Sequence, residues 1–99
     1  GGISELRKIA TMAEAYYIPV SPHNAMGSIQ IIAGAHTMMT VPNFYRLEFS
    51  IAALESYNAV LDNPLDIRDG NLLLPTGPGL GYDLDTEFMA AHPDPAWNG

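Results

Sequence analysis

Two residues of this 99-residue chain have a type and a setting suited to proton chemistry, His23 and Glu48. His23 sits between Pro22 and Asn24 in a loop sequence rather than in a periodic element, which is where a rigid scaffold tends to carry reactive groups. An imidazole there can take up and return a proton near neutral pH. The bland alternative is a structural or merely exposed histidine. Glu48 interrupts the apolar run Phe44-Tyr45-Arg46-Leu47-Glu48-Phe49. Strand alternation sets Phe44, Arg46 and Glu48 on one face and Tyr45, Leu47 and Phe49 on the other. If the first face is interior, its charges need partners. Either Glu48 works on a ligand, or Arg46 and Glu48 form an ion pair of structural value only.

The elements that must position this pair are short. Ile18-Pro19-Val20-Ser21 is too brief for a helix and is closed by Pro22, so it reads as a strand; Pro19 donates nothing to a ladder and belongs at its start or on an unpaired stretch. Gly27-Ser28 opens SIQIIAGAHTMMTV, in which Ile29, Ile31, Ile32, Ala33, Ala35, Met38, Met39 and Val41 leave almost no polar face, so this helix must be buried on most sides. Pro42-Asn43 ends it, and residues 44–49 follow as a second strand. A strand, a helix and a strand in that order imply a parallel pair with a right-handed crossover. The carboxyl edge of such a pair carries ligand sites in α/β folds, and it would set His23 and Glu48 side by side in one cavity.

Upstream, SELRKIATMAEAYY from Ser4 to Tyr17 places Leu6, Ile9, Ala10, Ala13 and Tyr16 or Tyr17 on one helical stripe, with Ser4 as cap and Glu5, Arg7, Lys8 and Glu14 on the opposite side. Downstream, residues 51–61 suggest a further helix. Asp69-Gly70 between LDIR and NLLL signals a two-residue hairpin, and Pro75–Gly81 is a turn-rich stretch. Asp85-Thr86-Glu87 begins a short helix reaching Ala91, and Pro93 and Pro95 lead into a frayed tail.

Other candidates are weaker. His36 lies inside the apolar helix and reads as a core histidine whose polar atoms are satisfied; His92 beside the prolines reads as solvated. The methionines at helical spacing read as core filler. Gly77-Pro78-Gly79-Leu80-Gly81 lacks a following Lys, and Pro78 removes an amide donor, so it is a turn rather than a phosphate loop. Neither Ser21 nor Ser28 sits in a nucleophile elbow, and no His-x-x-x-His or carboxylate cluster offers a metal site within the chain.

Composition narrows the partners. An apolar content of 47% against 15% charged residues is that of a globular segment. Eleven acidic residues against four basic ones give a net charge of -7, which repels phosphate backbones and anionic head groups, so neither nucleic acid nor a membrane is an expected partner. The absence of cysteine rules out a disulfide framework and fits the cytoplasm. The start Gly1-Gly2 reads as cut from something longer.

The runs GGISELRKIATMAEAYYIPVSPHN, GSIQIIAGAH, PNFYRLE and LLLPTGPGLGYDLD, from Gly1 to about Phe88, resemble the carboxyl-terminal part of the enolase superfamily, mandelate racemase subgroup, and most closely its acid-sugar dehydratases. The resemblance implies an α/β fold: residues 1–61 as the last two βα units of a (β/α)8-type barrel, and residues 62–99 as a closing segment packed toward a capping domain. It implies removal of a proton α to a carboxylate, with Mg2+ stabilising the ene-diolate and its ligands lying outside this chain. His23 is then the general acid/base, Glu48 hydrogen-bonds the substrate carboxylate as charge builds, and Asn24 and Arg46 are substrate-binding residues. The same resemblance admits a racemase, epimerase or cycloisomerase. The expected partners are a small acid sugar, the remainder of the barrel with its capping domain, and further copies in a homo-oligomer. A barrel takes roughly 250 residues, so the chain alone is expected to be inactive. A different class of reading is a non-catalytic fragment that self-associates through open sheet edges and apolar helix faces.

Overall fold

A computed structural model of the chain describes residues 1–96. It is an α/β arrangement built around one apolar helix. Helix α1 spans Gly2–Glu14, α2 spans Ser28–Met38, a 3-10 turn over Ile51–Ala53 leads into α3 at Leu54–Ala59, strands β1 (Ile67–Arg68) and β2 (Asn71–Leu72) form a hairpin, and α4 spans Thr86–Ala91. Among the described residues no helix is long and apolar enough to cross a membrane.

The all-round apolarity of α2 has the expected consequence. Ile31 and Ile32, each 1% exposed, form the core with Tyr57 of α3 and with Leu61 and Leu65. Leu47, Phe49, Ile67, Leu72, Leu80 and Tyr82 close around that cluster, which joins the chain's two halves. Each fully buried aliphatic side chain contributes about 1.5–3 kcal/mol, so α2 is the principal source of stability. Ile29 and Met39 lie outside the buried face. The helix also stops at Met38 rather than Val41, its carbonyls there taken up by tight turns to Thr40 and Val41.

Several expectations need correction. Helix α1 begins at Gly2 with Gly1 as N-cap, so Ser4 lies inside it; the helix ends at Glu14, and Tyr17 adopts a left-handed φ of 56° that turns the chain. Of the anticipated stripe only Ala10 is buried, with Leu6 and Ala13 half-buried, whereas Ile9, Tyr16 and Tyr17 are exposed. The helix expected over 51–61 divides into the 3-10 turn and α3. Of the methionines only Met38 is core; Met12, Met26, Met39 and Met89 are exposed.

The two segments read as strands run parallel, as the alternation implied, but meet at a single bridge, Val20 opposite Phe44. Val20 N–H donates to the Asn43 carbonyl at 2.8 Å, and Tyr45 N–H donates to the Val20 carbonyl at 2.9 Å. The next rung of a parallel ladder requires the N–H of residue 22, and Pro22 has none. The rung below is replaced by a side chain, since Asn43 Nδ2 donates to the Ile18 carbonyl at 3.0 Å. Pro22 on one side and the Asn43 side chain on the other thus limit the pairing to one bridge.

The closing segment follows its local signals. Asp69 and Gly70, with φ of 50° and 75°, form the two-residue turn that pairs Ile67 with Leu72 and Arg68 with Asn71. Gly81 N–H donates to the Pro78 carbonyl at 3.0 Å within the glycine-rich turn. Asp85 caps α4, its Oδ1 accepting from Phe88 N–H at 2.8 Å. An isolated antiparallel bridge between Leu61 and Leu84 ties this segment back to the end of α3. The anticipated frayed tail extends to residues 97–99, which lie outside the described residues.

Candidate functional site

The Val20–Phe44 bridge sets the register of the candidate site. Val20 stands level with Phe44; continued unchanged, that register would set Asn24 level with Glu48, but no ladder bond is made beyond the bridge among the described residues. The two segments continue alongside each other beyond the bridge, since Ser21 Oγ donates to the Arg46 carbonyl at 2.9 Å.

His23 is exposed, and its imidazole makes no hydrogen bond among the described residues. It lines a cleft between α1 and α2 together with Asn24, Gln30, Gly34 and Thr37. Asn24 faces the same cleft but is 2% exposed, and its Nδ2 is a buried donor with no protein partner. An unpaired buried amide donor costs about 1–3 kcal/mol.

Residues 46–49 alternate as the sequence indicated. Leu47 and Phe49 pack on the core, while Arg46 and Glu48 are exposed. The internal Arg46–Glu48 ion pair does not form; among the described residues the ion pairs are Lys8–Glu5 and Arg68–Asp66. Arg46 instead lies with its guanidinium carbon 4.7 Å from the centre of the Tyr45 ring, a cation–π contact that leaves its charge available. Arg46 lines a second cleft, bounded by α2 and the hairpin, and Glu48 lines neither. The chain therefore brings the His23 and Glu48 segments together in parallel and gathers His23 with Asn24, but it does not itself enclose His23, Arg46 and Glu48 in one cavity.

His36 behaves as a satisfied, half-buried histidine, with Nε2 3.0 Å from the Leu80 carbonyl. His92 is exposed and stacks on Phe88 with ring centres 4.1 Å apart. Among the described residues there is no group of three or more His, Cys, Asp or Glu residues able to hold a metal ion, so these residues do not fit a magnesium site of their own.

Sequence reasoning overlooked the residues that hold the His23 loop. Gly34 is one of them. A Cβ at that position would stand 2.7 Å from Asn24 Nδ2, 2.8 Å from its Oδ1 and 3.1 Å from its Cγ, so glycine is required for the loop to reach the helix. The signal was a glycine in the middle of a strongly apolar helix, which indicates close backbone approach. Gly34→Ala is expected to cost about 1–3 kcal/mol through overpacking. Denaturant unfolding should show that loss, and adding Asn24→Ala should recover most of it; an unchanged midpoint in the single variant would contradict the close approach.

Residues 1–88 match the family described as enolase C-terminal domain-like. The chain is 37% identical over 92 residues to D-xylonate dehydratase of Haloferax volcanii, covering 93% of this chain and 22% of that protein. It is 32% identical over 84 residues to arabinonate dehydratase of Saccharolobus solfataricus, covering 85% of this chain and 22% of the relative. It thus spans about 22% of the length of these relatives. Among solved structures, a mandelate racemase/muconate lactonizing enzyme-like protein from Rubrobacter xylanophilus superposes with a TM-score of 0.84 at 35% identity, covering 96% of this chain and 25% of the other. A protein from Burkholderia xenovorans strain LB400, solved with magnesium and fumarate, superposes with a TM-score of 0.77 at 34% identity, covering 87% and 21%. With nearly all of its described residues accounted for by these matches, the chain belongs to the enolase C-terminal domain-like family, among relatives that include acid-sugar dehydratases.

Proposed function

We propose that this chain forms the last two βα units and closing segment of a barrel in a longer polypeptide that dehydrates a sugar acid, and that His23 supplies the acid in that reaction. The observation that carries the reading is the Pro22-His23-Asn24 loop. It leaves the end of a parallel pair with a free imidazole and, beside it, an unpartnered buried amide donor. Similarity to two sugar-acid dehydratases supports the choice of reaction.

In the proposed reaction, the proton on the carbon α to the substrate carboxylate passes to a base outside this chain. The hydroxyl on the β carbon leaves as water, taking a proton from His23. The resulting enol gains a proton at the former β carbon and becomes a 2-oxo-3-deoxy acid. Glu48 and Arg46, both exposed on the neighbouring segment, would meet the substrate carboxylate once the rest of the barrel closes the cavity. Asn24 Nδ2 donates to a substrate oxygen. A magnesium ion held by residues outside this chain would supply electrostatic stabilisation of the negative charge that builds on the substrate carboxylate.

Incubating the complete polypeptide and Mg2+ with a panel of aldonic and aldaric acids tests this. A 2-oxo-3-deoxy product is expected from at least one acid, with solvent deuterium at its C3 when the reaction is run in D2O. A folded protein that releases no such product from any of them contradicts the reading.

A further inference from the structure

Residues 21–26 form no regular element, and among the described residues none of their backbone groups bonds to another backbone group. A loop of this kind ordinarily samples many conformations, because each free residue retains backbone entropy of about 1–2 kcal/mol. Here the backbone is tied by side chains from elsewhere. Tyr57 Oη donates to the Ala25 carbonyl at 2.9 Å, and Ser28 Oγ donates to the Tyr57 carbonyl, linking the loop to α3. Gln30 uses both ends of one amide: Nε2 donates to the His23 carbonyl at 2.8 Å, while Oε1 accepts from Met26 N–H at 3.1 Å. The Gln30 amide thus closes a ring across residues 23–26 from the first turn of α2. It is the only side-chain tie, among the described residues, made to the backbone of His23 itself.

We propose that Gln30 is a positioning residue, whose side-chain amide fixes the backbone of the His23 loop and so aims the imidazole. The inference rests on the assignment of His23 as the acid. It does not require Gln30 to touch substrate. Because Gln30 is exposed and lies outside the core, its amide adds little to global stability, and its effect should be seen in turnover rather than in folding. Fixing a reacting group from a supporting residue commonly matters by about 10- to 100-fold.

The test uses the complete polypeptide carrying Gln30→Met, which keeps the length and shape of the side chain and removes both hydrogen bonds. The expected result is a kcat reduced by about 10-fold or more, with KM and Tm close to those of the parent. Introduced into a His23→Asn background, the same substitution should change the residual turnover little, since the group it positions is gone. Gln30→Glu, which keeps the acceptor for Met26 N–H but loses the donor to the His23 carbonyl, should lower kcat as Gln30→Met does. An unchanged kcat in Gln30→Met, or an equal fold-loss in both backgrounds, overturns the inference while leaving the role of His23 intact. Full turnover in His23→Asn alone overturns both.

Discussion

His23→Asn in the complete polypeptide is expected to lower kcat by about 10²- to 10⁴-fold, the range that a positioned acid or base contributes. Its Tm should be nearly unchanged. The imidazole is exposed and, among the described residues, unbonded, and the residue's one hydrogen bond among them uses its carbonyl, which asparagine retains. This separation of activity from stability is what distinguishes a reacting histidine from a structural one. His36 provides the contrast within the same chain: its ring nitrogen meets the Leu80 carbonyl, so replacing it should affect folding. Steady-state kinetics with thermal unfolding on the same preparation decides the point. Loss of Tm in step with loss of kcat would show that His23 serves the fold.

The second large effect concerns the core. Ile31→Ala removes a side chain that is 1% exposed and central to the cluster of Ile32, Tyr57, Leu61 and Leu65, at an expected cost of about 2–5 kcal/mol. A small domain has only about 5–15 kcal/mol of stability in all, so such a loss leaves little. Ile29, two residues earlier on the same helix, is 53% exposed, and Ile29→Ala should stay within about 0.5 kcal/mol. Far-UV circular dichroism during urea unfolding measures both. Equal midpoint shifts for the two variants would mean that α2 is not held by the face described.

The contrast between Ile31 and Ile29 shows where the sequence stops informing. An all-apolar helix declares that it is buried, but which residues escape depends on how many neighbours cover it, and that is a tertiary fact. Local chemistry was legible. Asp69-Gly70 required positive φ at both turn positions, and Asp85-Thr86-Glu87 marked an acidic helix start, so the hairpin and α4 lie where they were expected. Ser4 misled because a residue with a good capping side chain need not sit at the helix start; Gly1 does. Pro22 was read as a boundary, when its decisive property is the missing donor that ends the parallel ladder after one bridge.

In the candidate site, His23 stood out because a histidine between a proline and an asparagine has no periodic role to fulfil. The supports of that loop did not. Gln30, Tyr57 and Ser28 are ordinary polar residues whose partners lie across turns or on other elements, and no spacing rule connects them. Gly34 alone carried a local signal, a glycine costing helix stability in the middle of α2, and that signal was overlooked.

The most direct measurement is a crystal structure of the complete polypeptide with an unreactive sugar-acid analogue bound. One imidazole nitrogen of His23 is expected within hydrogen-bonding reach of the analogue's β oxygen, and the Glu48 carboxyl within reach of its carboxylate. An analogue that binds away from the Pro22-His23-Asn24 loop, or that touches only one of the two parallel segments, would contradict the account.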